Sequence, residues 1–152
     1  MPPPYPTDLW KMSPEEYPAL KLITTNGQTR KDGACVMGRG CARQARDMIP
    51  GIDYKLGELL RKYGNRVFRL GALPDGSHLG SFPVKNHWKN YADLELIERS
   101  AHQLVEIVQS FGYKRVVLPC PGVGNGGLSY ERYVKPVLEP VLSDDRFYIV
   151  SF

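Results

Sequence analysis

The strongest constraint on the fold is an alternation: short apolar, β-branched runs take turns along the chain with amphipathic helical stripes, and glycine clusters join them. Ala19 to Thr25 reads as a buried strand closed by the Asn26-Gly27 turn. Gly38 to Met48 reads as a helix because Ala42, Ala45, Met48 and Ile49 recur at helical spacing, and Pro50-Gly51 ends it. Asp53 to Tyr63 forms a second helix, with Asp53 the expected N-cap and Gly64 the stop. Arg66 to Leu73 and His78 to Val84 flank Pro74-Asp75-Gly76, a hairpin signal. The longest stripe runs from Leu94 to Phe111, with Asn90 as its expected cap and Gly112 its terminator. Arg115 to Pro119 then reads as a central buried strand, Tyr133 to Leu142 as a helix and Arg146 to Phe152 as a last strand. Helices between apolar strands predict an α/β domain whose mixed, largely parallel sheet carries helices on both faces. Such sheets bind ligands beyond the carboxyl ends of their strands.

A length of 152 residues suits one domain with a core that needs no staples. Residues 1–18 are rich in proline and turn formers, so they read as an irregular N-terminal extension to a domain over 19–152. Cys35, Cys41 and Cys120 form no CxxC or Cys/His spacing, so reduced thiols are expected rather than a disulfide framework or a zinc site. No apolar run reaches the roughly 18 residues of a membrane helix, and the start lacks a basic end and an apolar stretch. The expectation is a monomeric cytoplasmic protein without a membrane partner. A net charge of +4 is compatible with phosphate-bearing ligands, yet no long Lys/Arg block marks a nucleic-acid footprint.

The chemistry is concentrated in two loops, Cys35 to Ala42 and Pro119 to Leu128, each placed after a strand region and before a helix. Glycines there let successive N–H groups point at an anion, and a helix N-terminus adds partial positive charge. One such loop cradles one phosphate; two facing each other suit a diphosphate. Gly122, Gly124 and Gly127 also satisfy G-x-G-x-x-G, but the acidic residue expected about 20 residues later at the end of the next strand is missing, because Asp144 and Asp145 precede that strand. A P-loop is absent as well.

Four ordered segments carry a resemblance to macro domains. They are Thr24-Thr25-Asn26-Gly27, Val36 to Ala42, Ser81-Phe82-Pro83-Val84-Lys85-Asn86-His87-Trp88, and Leu118 to Leu128. The resemblance spans Leu20 to Phe152 and is to the branch of DarG-type DNA ADP-ribosyl glycohydrolases and the terminal ADP-ribose protein glycohydrolase, domains that occur in bacteria and phages among others. It implies a three-layer α/β/α macro-domain sandwich, needing no cofactor, that takes ADP-ribose or an ADP-ribosylated target with a DNA or protein acceptor. By the same resemblance, Met37, Gly38, Arg39 and Gly40 in one loop, and Pro121, Gly122, Val123, Gly124, Asn125 and Gly126 in the other, close over the diphosphate and distal ribose. Asn26 lies near that ribose, and Lys85 stands where this branch carries a lysine that acts in de-ADP-ribosylation. An aspartate that human-type members carry at the position of Gly126 is missing, and Asp8 is the candidate for holding the adenine amino group.

On chemical grounds Lys85 could attack the anomeric carbon of the opened sugar or, as a cation, stabilise the departing group. His87 is expected as a hydrogen-bonded or capping residue, a proton carrier being the alternative. Trp88 is expected to pack the start of the long helix, with base stacking the alternative. Asn125 can orient a ribose hydroxyl or supply a turn. Cys41 and Cys120 read as packing residues, and His78 and His102 as structural or exposed. Three functions therefore compete: an ADP-ribosyl glycohydrolase, a non-catalytic reader or scavenger of ADP-ribose or a metabolite derived from it, and a nucleic-acid-binding module that would leave the paired loops without a purpose.

Overall fold

A computed structural model describes residues 1–151, with the side chain of Asn125 left aside. The sheet has five strands: β1 (Ala19–Asn26), β2 (Phe68–Ala72), β3 (His78–Lys85), β4 (Arg115–Pro119) and β5 (Phe147–Val150). Their order is β2-β3-β1-β4-β5. Only the β2–β3 hairpin is antiparallel; β3–β1, β1–β4 and β4–β5 are parallel, with Leu20 facing His78 and Val116 facing Phe147. The central strand is therefore β1, and β4 lies between it and the edge. The end of the last expected strand, Phe152, lies outside the described residues.

Parallel sheets are covered on both faces, so their strands bury alternate residues to opposite sides. Leu20, Leu22, Val116 and Leu118 join one buried cluster with Ile97, Leu104, Val108 and Leu138 of α3 (Leu94–Phe111) and α4 (Lys135–Leu138). Ile23, Leu79, Val117 and Val150 join a second cluster with Ala45, Ile52, Leu56 and Leu60 of α1 (Gly40–Met48) and α2 (Ile52–Tyr63). Two cores on one sheet make the expected three layers. Lys21, on the same strand, is 1% exposed and pairs at 2.9 Å with Asp75 of the hairpin turn.

Two caps differ from expectation. Asp93, not Asn90, caps α3, its Oδ1 accepting from the N–H groups of Glu95 (3.0 Å) and Leu96 (3.3 Å). Asn90 sits in a turn and donates to His87 O, because Ala92 is spent bonding the second glycine loop through Gly126 O at 2.9 Å. Gly51, at φ 89°, occupies the N-cap of α2, and Asp53 is drawn inside its first turn, buried, 3.5 Å from Arg30. The helix expected over Tyr133 to Leu142 is shorter and starts differently. A wide turn over Tyr130–Val134, in which Val134 N donates to Ser129 O at 3.4 Å, leads into the single turn Lys135–Leu138. Pro136 has no N–H and is tolerated only in a first turn, which fixes where regular helix begins.

Residues 1–18 are irregular and pinned to the body. Tyr5 N donates to Ile149 O (2.9 Å), Ser151 N donates to Tyr5 O (3.0 Å), and Leu9 is buried in the α1–α2 core. Among the described residues, no helix is long and apolar enough to cross a membrane.

Candidate functional site

Thr24 to Asn26, Val84 and Lys85, Pro119 and Cys120, and Ser151 bring the carboxyl ends of β1, β3, β4 and β5 to one cleft of about 740 Å³. The two glycine loops form its walls, which is where an open α/β sheet leaves room for a ligand.

On one wall, Val36 to Ala42 lead into α1. Arg39 is extended (φ −145°, ψ 158°) and no side chain caps the helix behind it. The first N–H groups of α1 are left to be met from the cleft, beside the partial positive charge of the helix end. Gly38 is exposed, and a Cβ built there would meet nothing within 4 Å.

On the other wall, the glycines serve different ends. At Gly122 (φ +79°) a Cβ would come within 2.9 Å of the Ile97 side chain, and at Gly126 within 3.0 Å of Ala92 Cβ, so α3 packs directly on this loop. Gly124 (φ +71°) faces open space. Leu128 N donates to Gly122 O (2.9 Å) and Gly127 N to Gly124 O (3.0 Å), closing the loop on itself. Gly122, Val123, Gly124 and Gly126 line the cleft, whereas Pro121 is buried and is not among its lining residues. The Asn125 side chain lies outside the described residues.

Lys85 ends β3 and lines the cleft. Its Nζ donates to Trp88 O at 2.9 Å, and its carbonyl accepts from Gly27 N (3.1 Å) and Asn65 Nδ2 (3.2 Å). Burial, and then the Arg39 guanidinium, lower the pKa of its ammonium from the ordinary lysine value. Asn26 is 8% exposed and clamps the following loop: its Nδ2 donates to Val36 O at 2.9 Å and its Oδ1 accepts from Gln28 N at 3.0 Å. Its second amide proton has no partner among the described residues.

The cleft is one-signed. Arg39, Lys85 and Lys89 line it, and no Asp or Glu does among the described residues. Cys41 and Cys120 line it too, but burial raises both thiols, Cys120 to about 11, so neither is a thiolate at neutral pH. Asp8 is spent accepting from Trp10 N (2.7 Å) and is not on the walls. His87 accepts from Lys89 N and stacks beside Trp88, also off the walls; His78 is bonded to Tyr113 OH at 2.6 Å. Among the described residues no group of three His, Cys, Asp or Glu could hold a metal ion.

Sequence reasoning missed Lys89 and Ser151 and misjudged Trp88. That ring lies on the cleft's rim, 40% exposed, instead of packing the start of α3. The signal available was the spacing Lys85-x-x-Trp88-Lys89 in a stretch without an acidic residue.

A mixed, mostly parallel five-stranded sheet between helical layers, with two glycine loops over the carboxyl ends of its strands, makes this chain a macro domain by fold. Within that class its similarity is to DarG macrodomains. The macrodomain of Mycobacterium tuberculosis DarG superposes with a TM-score of 0.74 at 25% identity, over 97% of this chain and 94% of that one. Thermosipho africanus DarTG in complex with ADP-ribose gives 0.71 at 23% identity, over 88% of this chain and 37% of that one. In sequence, the Mycobacterium tuberculosis DNA ADP-ribosyl glycohydrolase is 31% identical over 101 residues, 63% of this chain. The chain spans only 29% of the length of that curated relative. No protein-family profile matches.

Proposed function

We propose that the cleft binds ADP-ribose and that the protein hydrolyses an ADP-ribosyl linkage on DNA. The observation that carries this reading is the Lys85 amine, its pKa lowered, in a cleft lined by cations and free of described carboxylates, opposite an uncapped helix start. The diphosphate would lie between the loops, on backbone from Met37 to Gly40 and from Gly122 to Gly126. The free amide proton of Asn26 would hold a hydroxyl of the distal ribose, leaving its anomeric carbon toward Lys85. The neutral amine attacks that carbon, and the acceptor departs with a proton from solvent. Water then releases ADP-ribose and regenerates the lysine. DNA is favoured as acceptor because DNA ADP-ribosyl glycohydrolase is the name of the sequence relatives, and the phosphates of a DNA backbone pair with the cationic rim. Three unpaired thiols fit a cytoplasmic setting.

The test is calorimetry with ADP-ribose beside ADP, AMP and NAD, together with release of ADP-ribose from a modified oligonucleotide. ADP-ribose should bind in clear preference to AMP, and release should be measurable. Equal binding of AMP would remove the two-loop reading, and firm binding without release from DNA or protein would make the domain a reader.

A further inference from the structure

We propose that the strap Trp88–Tyr91 is an acceptor subsite, on which a base of single-stranded DNA stacks while Lys89 meets a backbone phosphate. This deepens the reading above and rests on it for the direction in which the acceptor leaves the cleft. The Lys85 Nζ and the Trp88 carbonyl are 2.9 Å apart, so the strap lies directly beside any acceptor bonded to a carbon within reach of Lys85.

The strap is held at both ends. Trp88 N reaches Gln28 Oε1 at 3.4 Å, Ala92 N donates to Gly126 O at 2.9 Å, and Asp93 N donates to Val84 O at 2.8 Å. It is thus tied to the loop after β1, to the second glycine loop and to β3, and its rings are presented from a fixed backbone. Both rings face solvent: Trp88 is 40% exposed and Tyr91 is 78% exposed. Tyr91 lies against Gly127, where a Cβ would come within 2.5 Å of the ring. The glycine lets the ring rest on backbone and leaves the other face open.

Charge selects the partner. Lys89 Nζ lies 5.3 Å from the Trp88 ring centroid, and the stretch from Lys85 through Ala92 holds the lysines Lys85 and Lys89 and no acid. Exposed aromatics interleaved with lysines at the mouth of a cationic cleft match a strand that offers π-faces and phosphates together. A duplex keeps its bases stacked inside, so the strand is single.

The chain has two tryptophans, so Trp10→Phe leaves Trp88 as the only indole emitter. In that background an unmodified twelve-nucleotide single-stranded DNA of mixed sequence should quench the emission saturably, and affinity should fall with salt. Tyr91→Ala and Trp88→Ala should each raise KM for an ADP-ribosylated single-stranded oligonucleotide about tenfold, with kcat falling less than threefold, and Trp88→Phe should restore most of the loss. Quenching that inorganic polyphosphate reproduces, no quenching by DNA, or equal KM losses on an ADP-ribosylated peptide would each overturn the proposal. Loss of ADP-ribose binding or release in the parent would instead sink the function proposed above, because the quenching assay uses DNA without ADP-ribose.

Discussion

Three glycines separate the contribution of the cleft wall from that of backbone strain. Gly38 lines the cleft, has no left-handed φ to preserve, and offers open space to a side chain. Gly51 has φ +89° and equally open surroundings but lies outside the cleft. Gly124 combines φ +71° with a place on the wall. If the walls bind diphosphate through backbone N–H groups, Gly38→Val holds the ligand off. Losing two charge-assisted bonds at about 1.5 kcal/mol each weakens ADP-ribose about 100-fold. Its melting temperature should move by no more than about 2 °C, as for a strain-free surface change. Gly51→Ala should do the reverse: left-handed backbone costs an L-residue about 1–2 kcal/mol, with binding unaltered. Gly124→Ala should show both effects. Calorimetry and thermal melts on the three variants give the comparison. A folded Gly38→Val protein that binds ADP-ribose like the parent would refute the backbone-cradle reasoning.

Lys85→Ala should lower kcat for ADP-ribose release about 100-fold, on the order of 3 kcal/mol, while ADP-ribose affinity stays within about fivefold. Because burial and then Arg39 lower its pKa, kcat/KM should rise with pH below the ordinary lysine range, and Arg39→Ala should move that limb upward. A rate that falls with rising pH would replace the nucleophile with a cation. Asp75→Asn should destabilise the fold by about 2–4 kcal/mol in urea at pH 7, since it strands the buried Lys21 ammonium; the lower end allows for an Asp75 carboxylate 37% exposed. Although burial works against it, hydrogen bonds from Ser77 and Lys21 hold the Asp75 carboxyl below the usual range. The parent should therefore lose this stability as pH falls through that lowered value, and the Asn variant should show a shallower acid limb.

What the sequence revealed depended on how local the cause was. The glycine loops were legible because positive φ at Gly122 and Gly124 and an approaching helix start are properties of neighbouring residues. The strands of the parallel sheet were legible from apolar runs, but their order was not, because it depends on pairings between residues far apart in the chain. What escaped detection depends on contacts distant in sequence. Asn90 was a good cap by type, but Ala92 is held by Gly126, which moves the helix start to Asp93. Lys21 reads as a break in an apolar strand until Asp75 arrives from the hairpin, 54 positions on. Ser151 belongs to the cleft only because β5 lies beside β4, and Trp88 faces outward because its strap is tied at both ends.

The sign of the cleft bears on the reaction itself. Glycoside hydrolysis with two carboxyl groups needs them about 5–9.5 Å apart across the bond, and no described carboxylate lines this cleft. Arg39, Lys89 and the α1 N-terminus stabilise negative charge developing on the departing acceptor. The same field opposes positive charge at the anomeric carbon, so attack by the Lys85 amine must accompany departure, or an anion must offset the field. In the proposed complex the substrate's own diphosphate, held between the loops, would be that anion. It should then act on the rate as well as on affinity, because binding energy from a remote group is expressed in the transition state. A ribosyl-DNA substrate lacking the diphosphate and adenosine should show a kcat lower by about 100-fold at saturation, beyond any rise in KM. Single-turnover release from the two substrates measures this. An unchanged kcat would mean that the diphosphate serves only as a handle, and the charge compensation would have to come from the acceptor.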